Sequence, residues 1–335
     1  MRTRVIVFCA LLAVPLALKG ETKPGGYLSF EFIKGQAQSG ASQGSFQNLR
    51  GGLFFAGDLG EKFDFMFEMG LKSESKLEME QASVGFKLAV ESDFRLGLFL
   101  VPFGKYNESN RPHETALVRT PLNLAGVYPA SWRDIGLVVR GRMGFLRYAA
   151  YLGNGLGEKD GAAAGQLFKD NNKDKGKGLR LGFIAGEGFE VGVSYSSGKY
   201  DSNNSLRLTL KGADLTWVTN DYEVRGEYTK AVWKNPAGAP DGRSDGYFVL
   251  MALNFGKLQP VVSFQRWNPG DSSLGARLLV SDENPEILGA RSRWAFGLRY
   301  FMSSTFLIKV EYDMNKEKSP ALRNNAVQIQ AALSF

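Results

Sequence analysis

One histidine stands in the whole chain, His113, and it has a carboxylate beside it, Glu114. A hydrolytic centre needs a base, usually histidine, within reach of a hydroxyl or an acid pair. Adjacent side chains rarely meet as a working pair, and no second partner is evident. No catalytic residue is therefore assigned. The single cysteine, Cys9, lies in the N-terminal apolar segment, which leaves the rest of the chain without thiol or disulfide chemistry. The stretches "GEKDG" and "KDNNKDKGKG" mix acids and amides, but neither has the ligand spacing of a known calcium loop. Neither a metal site nor a cofactor is expected.

The cations carry more information. Lys87, Arg95, Arg140 and Arg147 fall on four consecutive stretches in which apolar and polar residues alternate, and Arg142 shares a face with Arg140. Arg180, Arg225, Arg299 and Lys309 continue the same face further along the chain. Rings of arginine and lysine attract anions, and the forked guanidinium donors suit phosphate oxygens. In the competing reading they pair with Glu31, Asp64, Glu68, Glu227 and Glu311 and only fill an interior. A second group, Lys105, Arg111 and Arg119, lies in residues 102–132, which have no periodicity. A segment of that length is uncommon unless it has a task, and folding inward as a constriction would be one. The alternative is a disordered extracellular loop.

The elements that must position these groups are strands. "FDFMFEMGL" puts Phe63, Phe65, Phe67 and Met69 on one face and Asp64 and Glu68 on the other. "RDIGLVVRG", "YEVRGEY" and "TFLIKVEY" repeat the pattern. So many ionisable residues alternating with apolar ones require water on the second face. About 16 such strands are expected. Short connectors ("DLGEK", "GRMG", "GEG", "TND", "SST") alternate with longer ones, the arrangement of an outer-membrane barrel. Tyr27, Trp217, Tyr222, Trp267, Trp294 and Tyr300 near strand ends read as aromatic girdles. The closing "NNAVQIQAALSF" is a strand that runs to Phe335. Such a strand suits a sheet closed on itself, last strand against first.

The N-terminus explains how such a barrel would be exported. Arg2 and Arg4 precede 14 apolar residues from Val5 to Leu18. That run is short for a membrane helix but fits a signal peptide, here residues 1–20. Residues 21–335 are read as one domain. Without Arg2, Arg4 and Lys19 the balance is 38 basic to 34 acidic residues, a mild preference for anionic partners rather than a nucleic-acid signature. The 40 glycines and 24 phenylalanines come with near-neutral overall hydropathy, as expected where lipid-facing and lumen-facing residues alternate.

"LGLFLVPFGKYNESNRP" followed by "TPLNLAGVYPASWRDIGLVVRGRMGFLRYAAYLGNG" resembles the phosphate-selective porin O and P family. "GADLTWVTNDYEVRGEYTKAVW" and "LQPVVSFQRWNP" are similar to its later segments. The resemblance implies a barrel of 16 to 18 strands, usually trimeric, that passes anions. Carried over by position, it implies that Arg133 and Asp134 brace the loop base while Lys105, Arg111 and Arg119 lie near the constriction. The sequence thus predicts an all-β transmembrane barrel in a bacterial outer membrane. Its partners would be outer-membrane lipids, small anions and copies of itself in a homotrimer, with no nucleic acid. The readings kept beside an anion-preferring pore are a non-selective diffusion pore and a barrel adhesin or receptor.

Overall fold

The computed structural model describes residues 22–72, 76–89, 91–159, 162–236, 239–270, 290–318 and 321–335. The expected signal segment lies outside the described residues. The strands are β1 (Thr22–Gly35), β2 (Ser45–Asp58), β3 (Phe63–Lys72), β4 (Lys76–Ala89), β5 (Ser92–Leu100), β6 (Arg133–Met143), β7 (Leu146–Gly153), β8 (Leu156–Lys159) and β9 (Ala162–Gln166). They continue as β10 (Gly176–Ile184), β11 (Phe189–Lys199), β12 (Arg207–Val218), β13 (Tyr222–Trp233), β14 (Gly242–Leu253), β15 (Leu258–Asn268), β16 (Arg291–Phe301), β17 (Phe306–Glu317) and β18 (Ala326–Ser334). Sixteen of them close one antiparallel barrel, while β8 and β9 form a separate hairpin between β7 and β10.

Closure runs through β1 and β18, in register from Tyr27 opposite Ser334 to Gly35 opposite Ala326. Gly26 and Phe335 exchange backbone hydrogen bonds of 2.9 and 3.0 Å just beyond that ladder. No sheet edge is left along that paired stretch. Alternation decides which side chains face out. Phe63, Val84, Leu96, Val193, Phe296 and Ile329 are exposed on the outer face, while Glu68, Arg180, Glu227, Lys309 and Glu311 are buried inside. Helices take no part in spanning: among the described residues none is long and apolar enough to cross a membrane.

The girdle expectation needs a correction. Trp217, Trp294 and Tyr300 are exposed on the outer face, with Tyr222 half-buried beside Trp217 at 5.1 Å between ring centroids. Tyr27 and Trp267 instead point inward. Their strand positions share parity with Glu31 and Gln265, so the pleat turns them to the lumen. Tyr27 packs on His113, 5.5 Å between ring centroids, and the Trp267 indole donates to Ser244 Oγ at 3.1 Å.

After β5 the chain leaves the wall and enters the lumen. A 3-10 turn, Tyr106–Ser109, and one short helix, α1 (Leu122–Gly126), break up this loop. Its apolar residues make an aromatic core inside the barrel. Phe103 lies 5.3 Å from Tyr128 and 5.5 Å from Trp132, and Tyr106 meets Phe248 of β14 at 5.6 Å. A loop can be this buried only if its backbone polar groups find partners.

Candidate functional site

The loop finds its partners on opposite walls. On β13, Glu227 accepts the backbone N–H of Lys105 (3.2 Å) and Tyr106 (3.4 Å) and the Tyr128 hydroxyl (2.5 Å). Burial first, and then the Glu227 charge, pushes that phenol well above its usual range, so it stays a donor. On β17, Glu311 accepts the N–H of Val118 and of Arg119. Beside it Lys309 donates to Pro112 O (2.6 Å), Thr115 Oγ1 (2.9 Å) and Leu117 O (3.1 Å). Gln265 of β15 accepts from Leu122 N at 3.1 Å, and Ser194 of β11 from Gly104 N at 3.0 Å. On β3, Glu68 takes two bonds from Arg111, at 3.0 and 2.8 Å. Hydrogen bonds to buried charged groups are worth roughly 1.5–3 kcal/mol each, so the crossing is held firmly.

Two cavities flank the crossing. The one toward the short turns measures about 430 Å³ and is lined by Lys105, Arg140, Arg142, Arg147 and Arg180 together with Glu91, Asp93 and Glu108. The one toward the long loops measures about 370 Å³; Arg50 and Arg133 are its charged lining residues. Between the loop and the β13–β14 wall lies a small cavity of about 10 Å³.

The predicted wall residues fall into two environments. Lys87, Arg140, Arg142 and Arg147 keep 42, 48, 42 and 39% of their side-chain surface accessible. Each nonetheless has an acid nearby: Asp58 at 2.6 Å, Asp93 at 3.1 Å, Glu91 at 3.9 Å and Glu190 in direct contact. Arg95 sits between Asp64 (2.5 Å) and Asp93 (3.6 Å). Arg180 is enclosed by Asp214 and Glu190. Arg225 binds Glu223 and reaches Ser109 Oγ at 3.1 Å. Arg299 and Lys309, expected on an open wall, are under the loop. Arg299 donates to Gln259 and to His113 O, and Lys309 is fully buried. The physical reason is that they satisfy carbonyls the loop carries into the lumen.

The loop cations are likewise engaged. Lys105 lies 3.3 Å from Glu108 and 3.8 Å from Glu190, and Arg119 lies 3.8 Å from Asp313. Arg133 does not point into the passage. β4 pairs with β5 only from Ala82 onward, and Arg133 reaches the unpaired end of β4, bonding Met79 O at 2.9 Å and lying 3.0 Å from Glu78 and Glu80. Asp134 accepts the N–H of Ile135, Asn154 and Gly155 and so fixes the turn after β7. His113 Nε2 is 3.9 Å from Glu114, and no group of ligands able to hold a metal occurs among the described residues.

Sequence reasoning missed Arg50, which faces the long-loop cavity and has no ion pair among the described residues. It also missed Gln265 and Ser194 as loop acceptors. Arg50 follows Asn48, whose φ is +53°, and the β1–β2 register shifts there. That bulge breaks the alternation from which a face is read.

No family model matches the chain. A search of curated proteins finds an uncharacterized protein of Aquifex aeolicus (strain VF5), 26% identical over 191 residues. The match takes in 49% of this chain and 44% of that relative's length. Solved structures are similar over nearly the whole chain. The anion-selective porin from Comamonas acidovorans superposes with a TM-score of 0.67 at 12% identity, over 95% of this chain and 100% of that one. A Salmonella typhi OmpF complex gives 0.68 at 14% identity, over 94% and 98%. OmpT of Vibrio cholerae, folded in vitro in a trimer form, gives 0.66 at 11%, over 94% and 99%. Identities this low define the fold alone. This chain has the closed 16-stranded barrel of porins.

Proposed function

We propose that the protein is an outer-membrane porin that lets small hydrophilic solutes diffuse passively, with a preference for anions such as phosphate. The observation that carries this is the charge of the two cavities beside the crossing loop. Five cations and three carboxylates line the one toward the short turns. Arg50 and Arg133 are the charged residues of the other, and with Arg133 held by Glu78 and Glu80 it is Arg50 that presents its charge there. Glu190 and Asp214 behind the first cavity balance its cations, so the excess that biases the local ion population toward anions comes from Arg50, which has no ion pair among the described residues. The barrel's likeness to an anion-selective porin and the resemblance of short segments to the phosphate-selective family support the same reading. A homotrimer belongs to it, since one structural neighbour is described in a trimer form.

The test is the reversal potential of the refolded protein in a planar bilayer under a potassium chloride gradient. The expected result is a chloride preference that shrinks in R50Q and shrinks further in R50Q/R140Q/R147Q. Inorganic phosphate should reduce chloride current in the wild type more than in the variants. A cation preference, or variants indistinguishable from wild type, would leave a non-selective pore. No conductance would overturn the pore itself and favour a barrel adhesin or receptor.

A further inference from the structure

The outer wall is asymmetric in charge. Strand alternation places Lys177 (β10), Lys211 (β12), Lys230 (β13), Arg243 (β14), Arg266 (β15) and Lys316 (β17) on the outer face, and all six are exposed. Each lies in the half of its strand nearer the long loops. Register ties them together: Lys211 is opposite Lys230, Lys230 opposite Asp245, and Arg266 opposite Tyr247. Among the described residues none of the six has a side-chain hydrogen bond or ion pair. Asp245 is the one carboxylate in the row. Toward the short turns the same outer wall carries Phe183, Trp217, Leu253, Leu258 and Tyr300, with no charged residue among the outward positions of these strands.

A lysine on a lipid-facing surface is costly at mid-bilayer and nearly free at the headgroup level. Six unpartnered cations in the long-loop halves of their strands therefore mark the headgroup side of the wall. Aromatic rings confirm the depth: Tyr195 is opposite Lys211, Tyr228 is opposite Tyr247, and Phe264 opposite Trp294 lies further from the long loops. Neutral headgroups would not call for cations at one rim and none at the other.

We infer that this belt is a docking surface for net-anionic, phosphate-bearing lipid headgroups of the leaflet on the long-loop side. The lipid's acyl chains would lie along the aliphatic outer face, and its phosphates would bridge lysines and arginines of neighbouring strands. The inference rests on the reading of the barrel as membrane-spanning but not on its conducting anything.

The test uses the refolded full chain in detergent micelles. Lipid A, a bisphosphorylated glycolipid, or phosphatidylcholine is titrated in, and bound lipids are counted by native mass spectrometry. Wild type is expected to bind lipid A more tightly than phosphatidylcholine. In K211Q/K230Q/R266Q lipid A affinity should fall by about fivefold per charge removed. K211R/K230R should keep it. Equal affinity in the glutamine variant, or no preference for lipid A over phosphatidylcholine, would overturn the belt. Displacement of lipid A by excess inorganic phosphate would also overturn it, because the site would then bind a free anion. Insertion into phosphatidylcholine vesicles, scored by protection from protease, should be equal for wild type and variant. Failure of wild type to insert in any vesicle would overturn the membrane reading and the belt together.

Discussion

Lys309 shows how a single side chain can hold a loop. Its ammonium has three donors and uses all of them on Pro112 O, Thr115 Oγ1 and Leu117 O. Apolar packing alone would not fix a chain segment lacking periodic structure, but three directed bonds from one rigid strand position do. Lys309→Met keeps the length of the side chain and removes the donors. Buried acceptors left without partners cost about 1–3 kcal/mol each. The variant should therefore expose the Arg119–Thr120 bond to trypsin and be cut into two fragments early, whereas wild type in micelles should yield those fragments only after prolonged digestion. Equal protection in both proteins would show that Glu227 and Glu311 suffice. His113 acts in the same place. Burial lowers its pKa from the ordinary value, with Arg111 and Lys309 lowering it further and Glu114 and Glu68 opposing them. A base whose folded value is depressed stabilises the seated loop fully above its free value of about 6.5. That stability is lost as pH falls from there toward the folded value. Protease protection of the loop should thus decline below about pH 6.5, and His113→Gln should flatten that part of the profile.

At the scale of the element, the loop's entry into the lumen depends on Gly104. Its φ is +64°, and a Cβ there would sit 2.2 Å from Glu227 Oε2. Gly104→Ala would combine left-handed backbone strain with displacement of the carboxylate that accepts Lys105 N and Tyr106 N. The expected outcome is an unseated loop in an intact barrel: unchanged strand content by circular dichroism, together with larger and noisier single-channel conductance. Unchanged conductance would mean that the loop does not limit the passage. The strands themselves were legible, because Phe63–Met69 or Phe306–Tyr312 alternates strictly and one face is charged. The loop's seat was not. Glu227 and Glu311 could be placed inside, but their acceptor role depends on backbone N–H groups more than a hundred residues away in sequence, and no periodicity announces them. Arg299 and Lys309 look the same as Arg140 in sequence; only the course of residues 102–132 separates a buried clasp from an accessible cation. The hairpin β8–β9 was hidden in a connector, and Tyr27 and Trp267 show that an aromatic near a strand end does not declare its face.

At the scale of the whole molecule, the outer wall has a second arc unlike the cationic one. On β2 and β4, close to the long loops, Phe46, Leu49, Leu77 and Met79 are exposed and apolar right up to the strand ends. Among the described residues no cation lies outward on β2 to β5, whereas every strand from β12 to β15 has one. Exposed apolar side chains that reach the long-loop strand ends make this arc the expected contact face of the proposed trimer. The two possibilities separate energetically. A lysine near the interface of a lipid-facing wall costs about 0–1 kcal/mol. The same lysine in a packed subunit contact is taken out of water without a partner and is far more costly. F46K/L77K should therefore leave insertion and barrel content unchanged but convert trimers to monomers, as read by light scattering of the detergent complex or by cross-linking in vesicles. Trimers that persist in F46K/L77K would move the contact to another face; a wild type that is monomeric throughout would remove the trimer and leave this arc facing lipid.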